Sequence, residues 1–273
     1  MNRRDSMIAL AGLVLGSGAV DPTILMATVL NPRYFRKDLP PVKLRVLSYN
    51  IQIGREPGGS YSDPAQAFLD HTAATISRET PDIAGLQEVD NKTKRSGLDV
   101  DQLGELSRMT NMIPTFTSKI DLPGGKYGIG TLSQEKPLAV DYVYLDGSSH
   151  RRVLQMIDFG RFYFFNTHLP LKAELRLKAV KKIEEQALLR NDKPIILVGD
   201  LNAEPESEEI KELKKTWTVV SPDAPTFPAP EPTVQIDYVF IRNAIELKVN
   251  EARVVEDPRT SDHRPVFVDV EFK

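Results

Sequence analysis

The chain has 273 residues, 41% of them hydrophobic and 27% charged, which is ordinary for a soluble globular protein with one sizeable core. A formal net charge of −3 argues against a protein that grips duplex nucleic acid through a broad basic face. The absence of cysteine excludes disulfides, thiolate metal sites and a cysteine nucleophile.

At the N-terminus, Arg3 and Arg4 precede an apolar run at 7–20, the charged and hydrophobic regions of an export signal. The run is short for a membrane span, so no stable transmembrane helix is expected. Arg3-Arg4-Asp5 followed by Ile8-Ala9-Leu10-Ala11-Gly12 looks like a twin-arginine signal, although Ser6-Met7 stand where a bulkier apolar pair is commoner. The expected organisation is a signal at 1–20, an extended Pro-containing tether at 21–42 and one folded domain at 43–273, periplasmic or extracellular. No repeat or linker divides that domain; its longest aperiodic stretch is the Pro-rich run 221–232.

The first strand is expected at 43–53, where Leu44, Val46 and Tyr49 alternate with other residues before a Gly-rich loop. Asp63-Pro64 offers a cap and first-turn proline for a helix carrying Leu69, Thr72 and Ile76 at helical spacing. Pro81-Asp82 opens a strand with the apolar run 83–86, and a second helix is expected near 100–109. Short strand-like runs at 129–132, 138–145, 152–157 and 162–166 suit a meander. Leu171, Leu175, Ala179, Ile183 and Ala187 mark one face of a long helix. Strands follow at 195–198, 235–240 and 266–270. Composition and pattern alone support a mixed α/β class.

Several of these apolar runs end in a polar residue: Asn50, Glu88, His168 and Asp200. Asp237 opens a later run, and Asp262-His263 sits just before the last strand. Polar groups at strand ends can converge on one rim of a sheet. Glu88 is the best candidate for a metal ligand, and Asn50 and Asp262 can add oxygens; such a hard donor set favours Mg²⁺ or Mn²⁺ over Zn²⁺. Asp200 and Asn202 occupy alternate positions, so their side chains can point the same way. Lys92, Lys94 and Arg95 form a short basic cluster where a substrate phosphate can approach Arg95. His71 and His150 fall in a helix and a polar turn, where a bland surface role is expected.

In this order, the segments Ser48-Tyr49-Asn50, Gly85-Leu86-Gln87-Glu88-Val89-Asp90, Asn166-Thr167-His168, Gly199-Asp200-Leu201-Asn202, Ile236-Asp237-Tyr238 and Ser261-Asp262-His263 resemble the endonuclease/exonuclease/phosphatase superfamily of DNase I-like, metal-dependent phosphoesterases. Thr93 to Gly97 with Val100-Asp101-Gln102, and Pro225-Thr226-Phe227-Pro228-Ala229, are similar to a bacterial branch of it. The resemblance implies a four-layer α-β-β-α sandwich of two packed mixed sheets with outer helices. It also implies a divalent metal on Asn50, Glu88 and Asp262, and a phosphate contacted by His168 and His263. Asp237 then anchors His263, Asp200 orients or deprotonates water, and Asn202 serves phosphate or metal. Pro170, Ile129-Gly130 and Ser133-Gln134 depart from that branch's pattern and remove polar groups from the substrate rim.

The expected activity is hydrolysis of a phosphate ester, monoester or diester, by in-line attack of water on a small or lipid-derived substrate. A nuclease on the same scaffold is disfavoured by the net charge. A catalytically silent phosphate-binding module is disfavoured because a binder has no need of the whole residue set.

Overall fold

Alternation of apolar residues gives most strands here two usable faces, and the chain stacks them into layers. The computed structural model describes residues 39–55, 57–58, 66–145 and 151–273. The expected signal, most of the tether and His150 lie outside the described residues.

The elements in chain order are β1 (Val42–Asn50), α1 (Gln66–Glu79), β2 (Ile83–Asn91), α2 (Gln102–Thr110), β3 (Ile113–Leu122), β4 (Gly125–Ser133), β5 (Ala139–Leu145) and β6 (Arg152–Asp158). There follow β7 (Tyr163–His168), α3 (Ala173–Leu188), β8 (Ile195–Asp200), α4 (Glu208–Lys214), β9 (Thr218–Val219), β10 (Asp237–Arg242), β11 (Lys248–Val254) and β12 (Val266–Phe272). The first sheet runs β11-β12-β1-β2-β4-β3 and the second β5-β6-β7-β8-β10-β9, each with six strands. Both are mixed: β1 pairs parallel with β2, and β7 parallel with β8, within otherwise antiparallel ladders.

Three apolar clusters define the layers. Leu69, Ala73 and Ile76 of α1 and Leu103 and Leu106 of α2 pack on Leu47, Tyr49, Ala84 and Leu86, the outer face of the first sheet. Ala179, Val180 and Ile183 of α3 and Ile210 and Leu213 of α4 cover Phe165, Leu197 and Phe240, the outer face of the second. Between the sheets lie Val46, Ile83, Val268 and Phe272 against Phe164, Ile196, Val198 and Val239. The expected four-layer sandwich is the observed one. The expected second helix is also found, with the Asp101 carboxylate capping it by accepting from the Gly104 N–H at 3.1 Å.

Two expectations need correcting. The meander joins only β5, β6 and β7, because β4 pairs with β2 and β3 in the first sheet. The run at 83–86 does not end before Glu88; β2 continues to Asn91 through a β-bulge between Leu86 and Val89. A second bulge interrupts β3 between Ser118 and Ile120. Both bulges face the same residue of β4, because Val89 and Ser118 each pair with Gly128. A Cβ on Gly128 would stand 2.1 Å from the Thr117 carbonyl oxygen, so only glycine lets β3 close on β4 there.

Candidate active site

Strand parity delivers the polar residues to one place. On β1, Asn50 shares the inner face with Val46; on β7, His168 shares it with Phe164; on β8, Asp200 shares it with Ile196 and Val198; on β10, Asp237 shares it with Val239. Register then aligns the strand ends, since Asp200 pairs with both His168 and Asp237. The Asp262-His263 loop is tied to this rim. The Ser261 hydroxyl donates to the Asn50 carbonyl at 2.6 Å, and the Asp262 N–H donates to Gln52 Oε1 at 3.1 Å.

His263 Nδ1 lies 2.9 Å from Asp237 Oδ2, which also accepts from the Thr226 hydroxyl at 2.6 Å. The Phe227 ring packs on the imidazole at 4.9 Å between centroids. The Pro-Thr-Phe-Pro-Ala segment singled out in the sequence is therefore the support of this pair. On the other side of the ring, Nε2 is 3.7 Å from Asp200 Oδ2. That oxygen accepts from Asn50 Nδ2 at 3.0 Å and stands 3.3 Å from His168 Nε2. Asp200 Oδ1 accepts from the Asn202 N–H at 2.9 Å, forming the turn that gives Asn202 a left-handed φ of 49°. The Asn202 side-chain amide donates to the Leu169 carbonyl at 3.0 Å, which holds it at the rim.

The two histidines are pushed apart in acidity. Burial would lower His263, but Asp237, then Asp200, outweigh it and raise the imidazole to about 10. Burial, then the cations Arg152 and Lys119, then His263, hold His168 well below the usual histidine range. Burial pushes Asp200 up to about 7 against the opposing charge of His263. One imidazole is a cation at neutral pH and the other is neutral, with a weakly acidic carboxyl between them.

Asp200, Asp237 and His263 bring ligand atoms within 4.8 Å of one another, a grouping that could hold a metal. His263 Nδ1 and Asp237 Oδ2 are already committed to each other, so this trio fits a hydrogen-bonded relay better than a hard cation. The oxygen set at Glu88, Asp262 and Asn50 suits Mg²⁺ more closely. The β2 bulge gives Glu88 a left-handed φ of 58°, and its carboxylate stays partly exposed with His168 Nδ1 3.9 Å away. Burial raises the Asp262 carboxyl, His263 opposes this, and the nearby charge of Glu88 adds to the rise. Two carboxylates that repel one another are the donor arrangement a divalent cation relieves. Asn50 Oδ1 accepts from the Gln52 N–H at 3.0 Å, which leaves a second lone pair uncommitted.

Arg95 is held beside Asp90 and Tyr127. Its guanidinium donates twice to Asp90, at 2.8 Å each, and lies over the Tyr127 ring at 4.7 Å. His71 is exposed on α1. Two residues beside the site escaped the sequence reading: Lys119 and Arg152. Lys119 is the extra residue of the β3 bulge, and its ammonium sits 4.0 Å from the Tyr127 ring centroid. Burial, then Arg152, bring its acidity to about 7 against the pull of Glu88 and Asp200. No short-range signal marks a lysine on an edge strand as buried.

The arrangement is a β-sandwich whose rim carries carboxylates, amides and a histidine pair, with Glu88 and Asp262 its more exposed members. The chain belongs to the Endonuclease/Exonuclease/phosphatase family, whose profile matches residues 47–263. Members are generally phosphoesterase hydrolases. No curated protein sequence matches the chain. Among solved structures it is similar to an endonuclease/exonuclease/phosphatase family protein from Bacteroides thetaiotaomicron, with 20% identity, TM-score 0.68, and 86% of this chain and 100% of that one covered. It is similar too to a mannosyl-6-phosphatase from the same organism, at 19% identity and TM-score 0.66 over 83% of this chain and 99% of that one. A third is the human Nocturnin catalytic domain with bound sulfate, at 20% identity and TM-score 0.63 over 89% and 99% of the two chains. These likenesses share the fold.

Proposed function

We propose that this protein is a Mg²⁺- or Mn²⁺-dependent hydrolase of a small or lipid-derived phosphate ester, acting outside the cytoplasm. The observation that carries the reading is Asp200 Oδ2, held by the Asn50 amide at 3.0 Å with His168 and His263 nitrogens at 3.3 and 3.7 Å. A carboxyl raised to about 7 can accept a proton from water at neutral pH, and its second oxygen is fixed by the Asn202 N–H. His263, kept cationic by Asp237, donates from Nε2 to a phosphoryl oxygen as charge accumulates there. Asn50 Nδ2 and Asn202 line the same cleft and orient the phosphate. Asn50, Glu88 and Asp262 would hold the divalent ion, which when bound neutralises charge on the phosphoryl oxygens.

Purified protein assayed with Mg²⁺ and with chelator against an aryl phosphate, a bis-aryl phosphate, phospholipid and plasmid DNA tests the activity. Metal-dependent release of phosphate or alcohol is expected. A folded protein inert on all four with either ion is instead a silent binding module. Glu88→Gln should weaken Mg²⁺ binding by about tenfold or more, since a neutral amide loses the charge attraction to a hard cation. Unchanged affinity by calorimetric titration would remove Glu88 from the metal site. The external location rests on the Arg3-Arg4 pattern. Replacing both by lysine should leave precursor in the cytoplasm on fractionation, and unimpaired export would sink the twin-arginine assignment.

A further inference from the structure

Asn50 and Glu88, two of the ligands proposed for the metal, stand where their strands part. The last residue pair of the β1–β2 ladder is Asn50 with Gln87, and the last backbone bond runs from the Ile51 N–H to the Gln87 carbonyl at 3.1 Å. Past that point the backbone is unfavourable on both sides. Gln52 and Ile53 have left-handed φ of 47° and 51°, and Glu88 one of 58°. A β-branched residue such as Ile53 rarely takes that conformation, so its surroundings must hold it there.

The segment Val100-Asp101-Gln102, noted in the sequence and not yet given a role, occupies the place beside β2 that β1 leaves. The Val100 carbonyl accepts from the Lys92 N–H at 2.8 Å, and Asp101 pairs with Asn91 in an antiparallel bridge. Asp101 also caps α2, so Gln102 opens that helix. The Gln102 side chain is fully buried. Its Oε1 accepts from the Asp90 N–H at 2.8 Å, and its Nε2 donates to the Ile53 carbonyl at 2.6 Å. One side-chain amide thus stands in for a peptide group and joins the turn after Asn50 to the strand after Glu88. The same turn reaches the third ligand. The Gln52 N–H holds Asn50 Oδ1 at 3.0 Å, and Gln52 Oε1 takes the Asp262 N–H at 3.1 Å. Segments far apart in the sequence therefore meet at residues 52–53, and Gln102 ties that turn to β2.

We propose that Gln102 is a positioning residue of the metal site, setting the spacing of Asn50 and Glu88 through Ile53 and Asp90 without touching ion or substrate. This rests on the metal-dependent reading above. An apolar side chain of similar length would fill the volume but remove the bridge, and the left-handed turn would be free to relax.

Calorimetric titration of the folded protein with Mg²⁺ and with Mn²⁺ tests this without turnover. Gln102→Met keeps length and bulk and loses both hydrogen bonds; it should weaken binding of both ions by about tenfold or more. Leu106→Ala, one turn further along α2 and buried in the same outer layer, is the structural control. It should lower the melting temperature at least as far and leave ion affinity unchanged. Equal ion affinity in wild type and folded Gln102→Met would overturn the proposal. So would a loss of affinity in Leu106→Ala that matches Gln102→Met at an equal fall in melting temperature. If Gln102→Met does not fold, Gln102→Glu decides, since it keeps an acceptor for the Asp90 N–H and, ionised, loses the donor to Ile53. Its added charge attracts the ion, so weaker binding despite that charge supports positioning, and unchanged or tighter binding overturns it. No ion binding to the folded wild type would sink the metal reading and this proposal with it, whereas binding that is unaltered in the variants sinks the proposal alone.

Discussion

His263 touches or faces three carboxylates, Asp237 at 2.9 Å, Asp200 at 3.7 Å and Asp262 at 4.0 Å, whereas His168, although 3.3 Å from Asp200 and 3.9 Å from Glu88, is held low by burial and then by Arg152 and Lys119. Environments that drive two imidazoles in opposite directions mark a division of labour between proton donor and neutral ligand. Imidazole resonances should therefore show, at pH 7.5, one protonated ring and one neutral ring at the site. Asp237→Asn should bring the protonated ring down towards the ordinary range of 6.5, because its strongest opposing charge is gone. The sign for stability follows: with the folded value raised, the pair's contribution is fully present below about 6.5 and is lost as pH rises through about 10. Urea midpoints of wild type and Asp237→Asn should thus converge towards pH 10. Turnover should fall by roughly 10² or more in Asp237→Asn, and the double variant with His263→Ala should be little worse than either single one. Multiplicative losses would show that the two residues act separately.

The paired bulges explain what the sequence hides and what it reveals. Strand ends at Asn50, His168, Asp200 and Asp237 are legible because period-two alternation with Val46, Phe164, Val198 and Val239 sets their face. Glu88 stands out by residue type, but its direction comes from the bulge, which depends on how β2 pairs with β4 and on no local pattern. The edge strands β3 and β11 carry little alternation, and Lys248–Val254 is exposed over most of its length, so neither announces itself. Lys119 is hidden for the same reason. The short helix α4 is likewise unannounced, its apolar contacts reduced to Ile210 and Leu213. Since both bulges rest on Gly128, Gly128→Ala should force β3 away from β4 and cost about 1–3 kcal/mol or more. It should also reduce Mg²⁺ affinity by displacing Glu88. A melting temperature and metal affinity both equal to wild type would show that the strands absorb the methyl group.

Across the whole molecule, the space between the sheets is apolar at one end and polar at the other. Gln87 Nε2 donates to Asn166 Oδ1 at 2.9 Å, and Asn166 Nδ2 donates to the Gly130 carbonyl at 2.8 Å. Gln155 bridges similarly, accepting from Thr131 at 2.5 Å and donating to Thr117 at 2.7 Å. These contacts fix the sheets' relative position near the cleft, which draws residues from both. Asn166→Leu should leave Gln87 Nε2 with only its bond to the Gly85 carbonyl at 3.1 Å, strip the Gly130 carbonyl of its side-chain donor, and cost on the order of 1–3 kcal/mol. The expected sign is a lower urea midpoint at unchanged slope; an unshifted midpoint would mean that water replaces the amide. The order of strands carries one more consequence. The chain lays down most of the first sheet, completes the second, and only then returns to slot β12 between β11 and β1, bringing Asp262 and His263 to the rim. A polypeptide still emerging from the ribosome therefore lacks Asp262 and His263 at the rim until β12 has found its place, so the site is completed in one late step rather than growing along with the fold.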